Sequence, residues 1–431
     1  MDSAYSFRRL QVIAAVAEDG GVRRASQRLA LSQPAISQAI GKMEAEVGEA
    51  LFERGPAGMF LTRSGALFVR RIDRALAYLR TGERELSPGR GPQGPPLHRL
   101  ATAVQWRAFL AVVENGGFAA AARALGVSQP SIHRGARDLE RLAGRPLFRA
   151  AAGGAEPTAE AVALARWAGL AFREIDQGLD ELRERRGLTD GTVVIGSLPL
   201  ARTRIVPAAV TRLLAERPDA RVRIVDGPYV ELLDGLRRGR IDLILGALRL
   251  PPPAPGLKQE ALFQEPLSVV VRAGHPLLSG PAPGIEALTA LEWVAPNDRT
   301  PARARFTAFF RERGLEPPKR LIECSSLVAI RGLLVQSDRA AFLSASQVPF
   351  ESLGAELAIA PIPLPGTERS IGVCTRADWS PTATQARTVA LIREVAEGLA
   401  TDAPPTAAPF SPLHHVSRGP PPPPLAQRGR I

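Results

Sequence analysis

Apolar residues recur at helical steps in two blocks near the start of the chain, and the rhythm changes to short apolar runs after them. Leu10, Ile13, Val16 and Ala17 share one helix face, which Gly20-Gly21 ends as a left-handed stop does. Ala25, Leu29 and Leu31 predict a short second helix. A third starts at Ser32, a good N-cap, with Pro34 in the first turn, where a missing amide proton costs little. Its buried side is Ile36, Ile40 and Met43, which turns Gln33, Ser37, Gln38 and Lys42 outward. Leu51 to Gly65 then reads as two short strands around a turn, a wing edged by Arg54 and Arg63.

The same text returns 96 residues later, where SQPAIS (Ser32 to Ser37) reappears as SQPSIH (Ser128 to His133). Trp106, Phe109, Val112 and Val113 restart the helical pattern, and Gly116-Gly117 stops it. Ile132, Ala136 and Leu139 face inward in the second copy; Gln129, Ser131, His133, Arg134 and Arg137 face outward. The second wing is reduced, with Ala150 at the position of Arg54 and Ala161 at that of Gly65, although Thr158 remains. Short polar side chains at a helix N-terminus can reach base edges or phosphates when the helix lies in a major groove. An amphipathic helix with a solvated face has the same pattern.

Each wing leads into a longer helix. In the second copy Ala161, Ala165, Ala168, Phe172, Ile175, Leu179 and Leu182 alternate steps of four and three, a heptad seam that needs a partner. The first copy offers Gly65, Val69, Ile72, Leu76 and Leu79, after which Glu83 breaks the seam. Thr81 to Pro96, rich in Pro and Gly, reads as a linker without regular structure. Its Gly89, Gly91 and Gly94 have dinucleotide-motif spacing, but no strand precedes them and no helix follows. About 16 flexible residues span roughly 20 to 25 Å. The seam helices can therefore pair within the chain, or the second can pair between chains.

After Gly191 strands and helices alternate: TVVIGS, a helix through LARTRIVPAAVTRLLAERP, ARVRIVDG, a helix through YVELLDGLRRGR, then IDLILGAL. This predicts a parallel sheet flanked by helices. LSVVVRAG opens a second half containing EWVAPND, RLIECSS and AAFLSAS; SIGVCTR and a helix from Thr382 to Leu399 return to the first half. Beyond Thr401 the Pro-rich text predicts a disordered tail.

Charge adds a partner to this picture. Residues 1–150 carry 22 Lys and Arg against 13 Asp and Glu, hence most of the formal +12 of the 431-residue chain. A basic front end suits a polyanion. Cys324 and Cys374 stand alone, and no Cys or His spacing suggests a metal site or a cofactor. No export signal or membrane-spanning run is evident, which predicts a soluble, cytoplasmic protein without membrane contact.

ASQRLALSQPAISQAIGKMEAEVGEALFERGPAGMFLTRSG resembles the N-terminal winged helix-turn-helix of LysR-type transcriptional regulators over about 40 positions. Gln38 stands where that family usually has Arg, and Met43 where it has Leu. The phrases following Leu198 and EPLSVVVRAGHPL resemble its effector-binding domain, which has the periplasmic-binding-protein fold. More loosely, they are similar to a subgroup named for regulating a galactose-binding protein, which implies a sugar or small organic acid as effector.

The expected architecture is multidomain: two all-α winged helix-turn-helix units, then a two-lobed α/β domain. Its boundaries are a first reader at 1–80, a linker at 81–97, a second reader at 98–158, a dimerisation helix at 159–187, an effector domain at 190–400 and a tail at 401–431. Expected DNA contacts are Ser32, Gln33, Pro34, Ser37, Gln38, Lys42, Arg54 and Arg63, with Ser128, Gln129, Ser131, His133, Arg134 and Arg137 from the second copy. Ligands of open parallel sheets sit beyond the carboxyl ends of strands. That places the effector at Ser197, Leu198, Gly246, Asn297, Thr300, Ser325 and Ser326.

The resemblance implies a homo-dimer or homo-tetramer joined through Ala165, Ala168, Phe172, Ile175, Leu179 and Leu182, acting on double-stranded promoter DNA. No Ser, His and acid set has a nucleophile context, so catalysis is not expected. The rival reading is a cytosolic solute-binding protein whose N-terminal half serves only for dimerisation.

Overall fold

The computed structural model describes residues 6–401, apart from 56–57, 87–94, 152–153, 189, 282, 299 and 349–355. The Pro-rich tail and the Gly89, Gly91, Gly94 motif lie outside the described residues. The first copy consists of α1 (Phe7–Asp19), α2 (Val22–Leu29), α3 (Gln33–Val47), the hairpin β1 (Phe52–Gly55) and β2 (Gly58–Leu61), and the long α4 (Arg63–Leu86). A single turn, α5 (Leu97–Leu100), precedes the second: α6 (Ala103–Asn115), α7 (Phe118–Leu125), α8 (Gln129–Ala143), β3 (Phe148–Ala151), β4 (Gly154–Pro157) and α9 (Ala159–Arg185).

Local chemistry sets these elements identically in both copies. Gly20 and Gly116 end α1 and α6 in the left-handed region, at φ 68° and 72°. The Ser32 and Ser128 hydroxyls accept hydrogen bonds from the Ala35 and Ser131 amides, capping α3 and α8. Glu44 accepts the amides of Leu51 and Phe52; its counterpart Glu140 accepts those of Leu147 and Phe148, so one carboxylate ties each third helix to its wing.

α4 and α9 pair with each other inside the chain. A methyl placed on Gly82 would sit 3.0 Å from Trp167 and 3.1 Å from Leu164; one placed on Gly178 would sit 3.0 Å from Phe68 and 3.1 Å from Arg71. Adding 96 to Gly82, Phe68 and Arg71 gives Gly178, Leu164 and Trp167, so the contacts repeat across a pseudo-two-fold axis, the helices antiparallel. One apolar core runs through both readers and both long helices. In it the Phe7 ring lies 4.8 Å from Phe172 and 6.4 Å from Trp106, joining the first reader to the second directly.

Three expectations change here. Ala165, Ala168, Phe172, Ile175 and Leu182 are buried, and Leu179 packs against the same core. Their partner is this chain's own α4, so they are not free to join two chains. Thr81–Leu86, expected as linker, continues α4, and Glu83 does not break the seam helix: its carboxylate turns to the His98 amide (2.9 Å) and ring Nδ1 (2.8 Å). The predicted helix after Leu198 is two, α10 (Pro199–Thr203) and α11 (Ile205–Glu216), divided at Arg204.

The remaining chain forms two lobes. Lobe one is a five-stranded sheet in the order β6-β5-β7-β14-β8. Its strands are β5 (Thr192–Ser197), β6 (Arg221–Asp226), β7 (Leu243–Ala247), β8 (Leu257–Glu265) and, from the far end of the chain, β14 (Arg369–Arg376). β5, β6 and β7 are parallel, whereas β14 runs against β7 and β8. Helix α12 (Tyr229–Arg237) covers one face, and α11 packs on the other with the last helix, α15 (Ala383–Thr401).

Lobe two has the order β11-β10-β12-β9-β13. It comprises β9 (Leu267–Arg272), β10 (Glu292–Ala295), α13 (Pro301–Arg311), β11 (Leu321–Glu323), α14 (Leu327–Val335), β12 (Arg339–Ser344) and β13 (Leu357–Ile359). Trp293, packed edge-on against Phe306, Phe310 and Phe342, centres its core. The chain crosses between lobes twice, from β8 to β9 and from β13 to β14.

Candidate nucleic-acid interface and effector cleft

The two third helices present unequal surfaces. On α3, Gln33, Pro34, Ser37, Gln38 and Lys42 are exposed, as are Ser32 before it, Arg54 on β1 and Arg63 at the start of α4. On α8, Gln129, Ser131, His133 and Arg134 are exposed, with Ser128 at the cap. Arg137 is half-buried: its guanidinium pairs with Glu140 at 2.6 Å and lies over the Phe118 and Phe148 rings, 5.7 and 5.6 Å away, so part of its charge is spent within the reader. The His133 ring lies 4.9 Å from Phe118, tilted at 53° to it, and the Ser128 and Ser131 hydroxyls bond each other at 2.8 Å.

Each hairpin carries one arginine and one glutamate, but in the first Arg54 stands opposite Met59 rather than an acid. Ala150 replaces Arg54, and the one wing arginine, Arg149, stands opposite Glu156 in the hairpin and pairs with it at 3.2 Å. Gly65 has a packing reason: a methyl there would meet the Leu51 carbonyl at 1.9 Å.

Lobe one rests on both long helices. Arg71 is wholly buried and donates to Glu174 (2.7 Å), Glu181 and the Ser380 carbonyl (2.9 Å). Burial alone would lower its pKa; the hydrogen bonds it donates to Glu181 and Glu174 outweigh that and hold it above the usual arginine value. Tyr78 donates to Asp378 at 2.6 Å, and burial with that carboxylate raises the phenol's pKa. From α9, Arg173 pairs with buried Asp242 (2.6 Å) and Gln177 with Gln385 (2.8 Å), while Glu184 accepts the Ala383 and Thr384 amides at the N-terminus of α15. Sequence reasoning missed this junction, because lone charges on a helix read as solvated.

At the carboxyl edge of lobe one, Ser197 is fully buried and its hydroxyl has no partner. Leu198 donates to the Leu245 carbonyl and lies against Gly246, where φ is +147° and a methyl would stand 2.5 Å from the Leu198 Cβ. Leu198, Tyr229, Gly246, Gln259 and Cys374 are among the residues lining a small pocket here, with Arg249 3.8 Å over the Tyr229 ring.

In lobe two, Asn297 and Ser325 come together, Nδ2 to Oγ at 3.5 Å. Thr300 and Ser326 cap α13 and α14 instead. The strand register places Arg369, at the start of β14, on the same edge as Ser197 and Ala247. Arg369 donates to Ser344 Oγ at 2.6 Å, its Nε is buried without a partner, and burial, partly offset by Glu265, lowers its pKa. No motif in the chain marks this residue, which lies at an interlobe crossing.

Cys374 is buried in β14, which pushes its thiol up to about 11, while Cys324 packs in lobe two; both are free. Among the described residues no group of His, Cys, Asp and Glu is arranged to hold a metal, and no single helix is long and apolar enough to cross a membrane.

The description "LysR substrate binding domain" matches residues 186–397, and "Bacterial regulatory helix-turn-helix protein, lysR family" matches 7–66 and again 104–162. The HTH-type transcriptional regulator GalR of Pseudomonas putida is 35% identical over 380 residues, 88% of this chain and 94% of that protein. The chain belongs to the LysR family. It is a DNA-binding transcription regulator with an effector-binding domain. YdcI of Escherichia coli, another HTH-type transcriptional regulator, is 30% identical over 273 residues, 63% of this chain and 88% of that protein. A full-length OxyR variant from Pseudomonas aeruginosa shares the fold at a TM-score of 0.52 and 19% identity, over 68% of this chain and 94% of that one.

Proposed function

We propose that this LysR-family regulator grips promoter DNA with both readers of one chain and is switched by a small carboxylated ligand at the edge of lobe one. The internal pairing of α4 and α9 carries the reading, because it fixes two outward-facing reader helices on one rigid block. Gln33, Ser37, Gln38, Lys42, Arg54 and Arg63 form the first contact surface, and Gln129, His133 and Arg134 the second. Arg369 and the unpartnered Ser197 hydroxyl favour a small organic acid over a neutral sugar, since a buried guanidinium pairs well with a carboxylate. The protein acts in the cytoplasm by binding rather than by turnover. Because the seam is used internally, homo-oligomers of whole chains join through other surfaces.

The test is a footprint on the DNA upstream of the protein's own gene, with and without small organic acids. Protection altered by an acid for the native protein, but not for Arg369→Met, supports the reading. A footprint that no acid alters removes the ligand assignment, and absence of any footprint removes the DNA assignment.

A further inference from the structure

We propose that one chain reads a directional operator: two unlike half-sites in fixed order, the first calling for adenine through Gln38 and the second for guanine through Arg134. The inference rests on the reading that both copies contact DNA. The duplex has local two-fold symmetry, and two identical readers related by a two-fold axis select a palindrome. Here the axis is present but the readers are not identical.

In register, Gln33 meets Gln129, but Ser37 meets His133, Gln38 meets Arg134 and Lys42 meets Asp138. An amide side chain matches the donor and acceptor of adenine's N6 and N7, whereas a guanidinium matches the two acceptors of guanine, O6 and N7. Gln38 and Arg134 are both exposed at equivalent positions of their helices. The wings differ too, since Arg54 can meet a phosphate where Ala150 cannot. The first half-site is therefore held more by backbone contact, and the second more by its base edge.

Within the α4–α9 block, symmetry cannot be restored by two chains swapping halves so that like readers pair. That would require α4 to leave α9, exposing Phe7, Phe172 and Trp106 and stranding the buried Arg71 between Glu174 and Glu181. The sensor also breaks the axis. Arg71 reaches the Ser380 carbonyl, while its symmetry mate Trp167 stacks at 5.9 Å on Tyr78 and donates to Glu85 at 2.8 Å. The order of half-sites on the DNA thus sets the side on which the sensor sits.

Selection from random duplexes with the full-length protein tests this directly. The native chain is expected to enrich two unlike half-sites in one relative order, and Arg134→Gln to relax the guanine preference by about tenfold in the second half-site alone. Combining His133→Ser with Arg134→Gln should shift the enriched motif toward two like half-sites. Enrichment of a palindrome, or of a single half-site, by the native chain overturns the proposal while leaving DNA binding intact. No enrichment by protein whose thermal melt shows it folded removes DNA reading itself, and the proposal with it.

Discussion

Arg71 of α4 donates through Nε to Glu181 of α9 at 3.1 Å, an ion pair between residues 110 positions apart that is shut away from water. Its second carboxylate, Glu174, comes from the same helix about two turns earlier, so one guanidinium from the first copy bridges two acids from the second. Arg71→Met takes the buried cation from both acids, leaving Glu174 only half-buried Arg74 at 2.8 Å and Glu181 only exposed Arg70 at 3.8 Å. Loss of one partner of a buried pair costs about 3–5 kcal/mol, and chemical denaturation should show a drop of that size. Adding Glu174→Gln and Glu181→Leu should recover most of it; no recovery would mean that Arg71 acts by packing alone.

The second wing can be repaired. Ala150→Arg is expected to raise DNA affinity, and the slope of log affinity against log salt should steepen by about one, as for one added phosphate contact. Arg54→Ala should do the reverse. Gel shifts at several salt concentrations check both, and equal slopes for all three proteins would take the wings out of the interface.

Asp180 gives a pH signature. Burial, opposed by Arg183 and Arg173, pushes its carboxyl up to about 6. A folded pKa above the unfolded one means that the folded state holds the proton more tightly, so this group's cost is full at neutral pH. The cost fades as pH falls from about 6 toward 4. Asp180→Asn should therefore raise the melting temperature at pH 7 and by much less at pH 4.5. An equal gain at both values would point to a cause other than titration.

Gly246→Ala should impair the ligand edge of lobe one. The methyl meets the Leu198 Cβ at 2.5 Å, and φ of +147° is strained for any L side chain. Ligand binding followed by calorimetry is expected to weaken while gel shifts stay unchanged. Unaltered calorimetry would move the ligand away from Leu198.

Much of this was legible in residues whose role is local. Ser32 and Ser128 announce helix starts, Gly20 and Gly116 announce stops, and the repeated SQP marks both copies without any structure. What stayed hidden depends on approach across the chain. The heptad seam showed that α9 needed a partner but could not say that α4 supplies it, because pairing within or between chains buries the same face. Glu140, three residues on, is legible as a partner for Arg137, but the Phe118 and Phe148 rings beneath its guanidinium are not. Arg369 carries no motif, and its half-buried setting follows from strands 104 residues apart (369 − 265) meeting at Glu265.

The internal pairing of α4 and α9 also sets a ratio. On the proposed reading two reading heads share one sensor, so a single bound ligand would decide the state of a complete DNA-gripping unit, and ligand titration of the isolated chain is expected to follow a simple hyperbola. Each head can change the letters it prefers without spoiling the match of the other, a freedom that identical subunits lack.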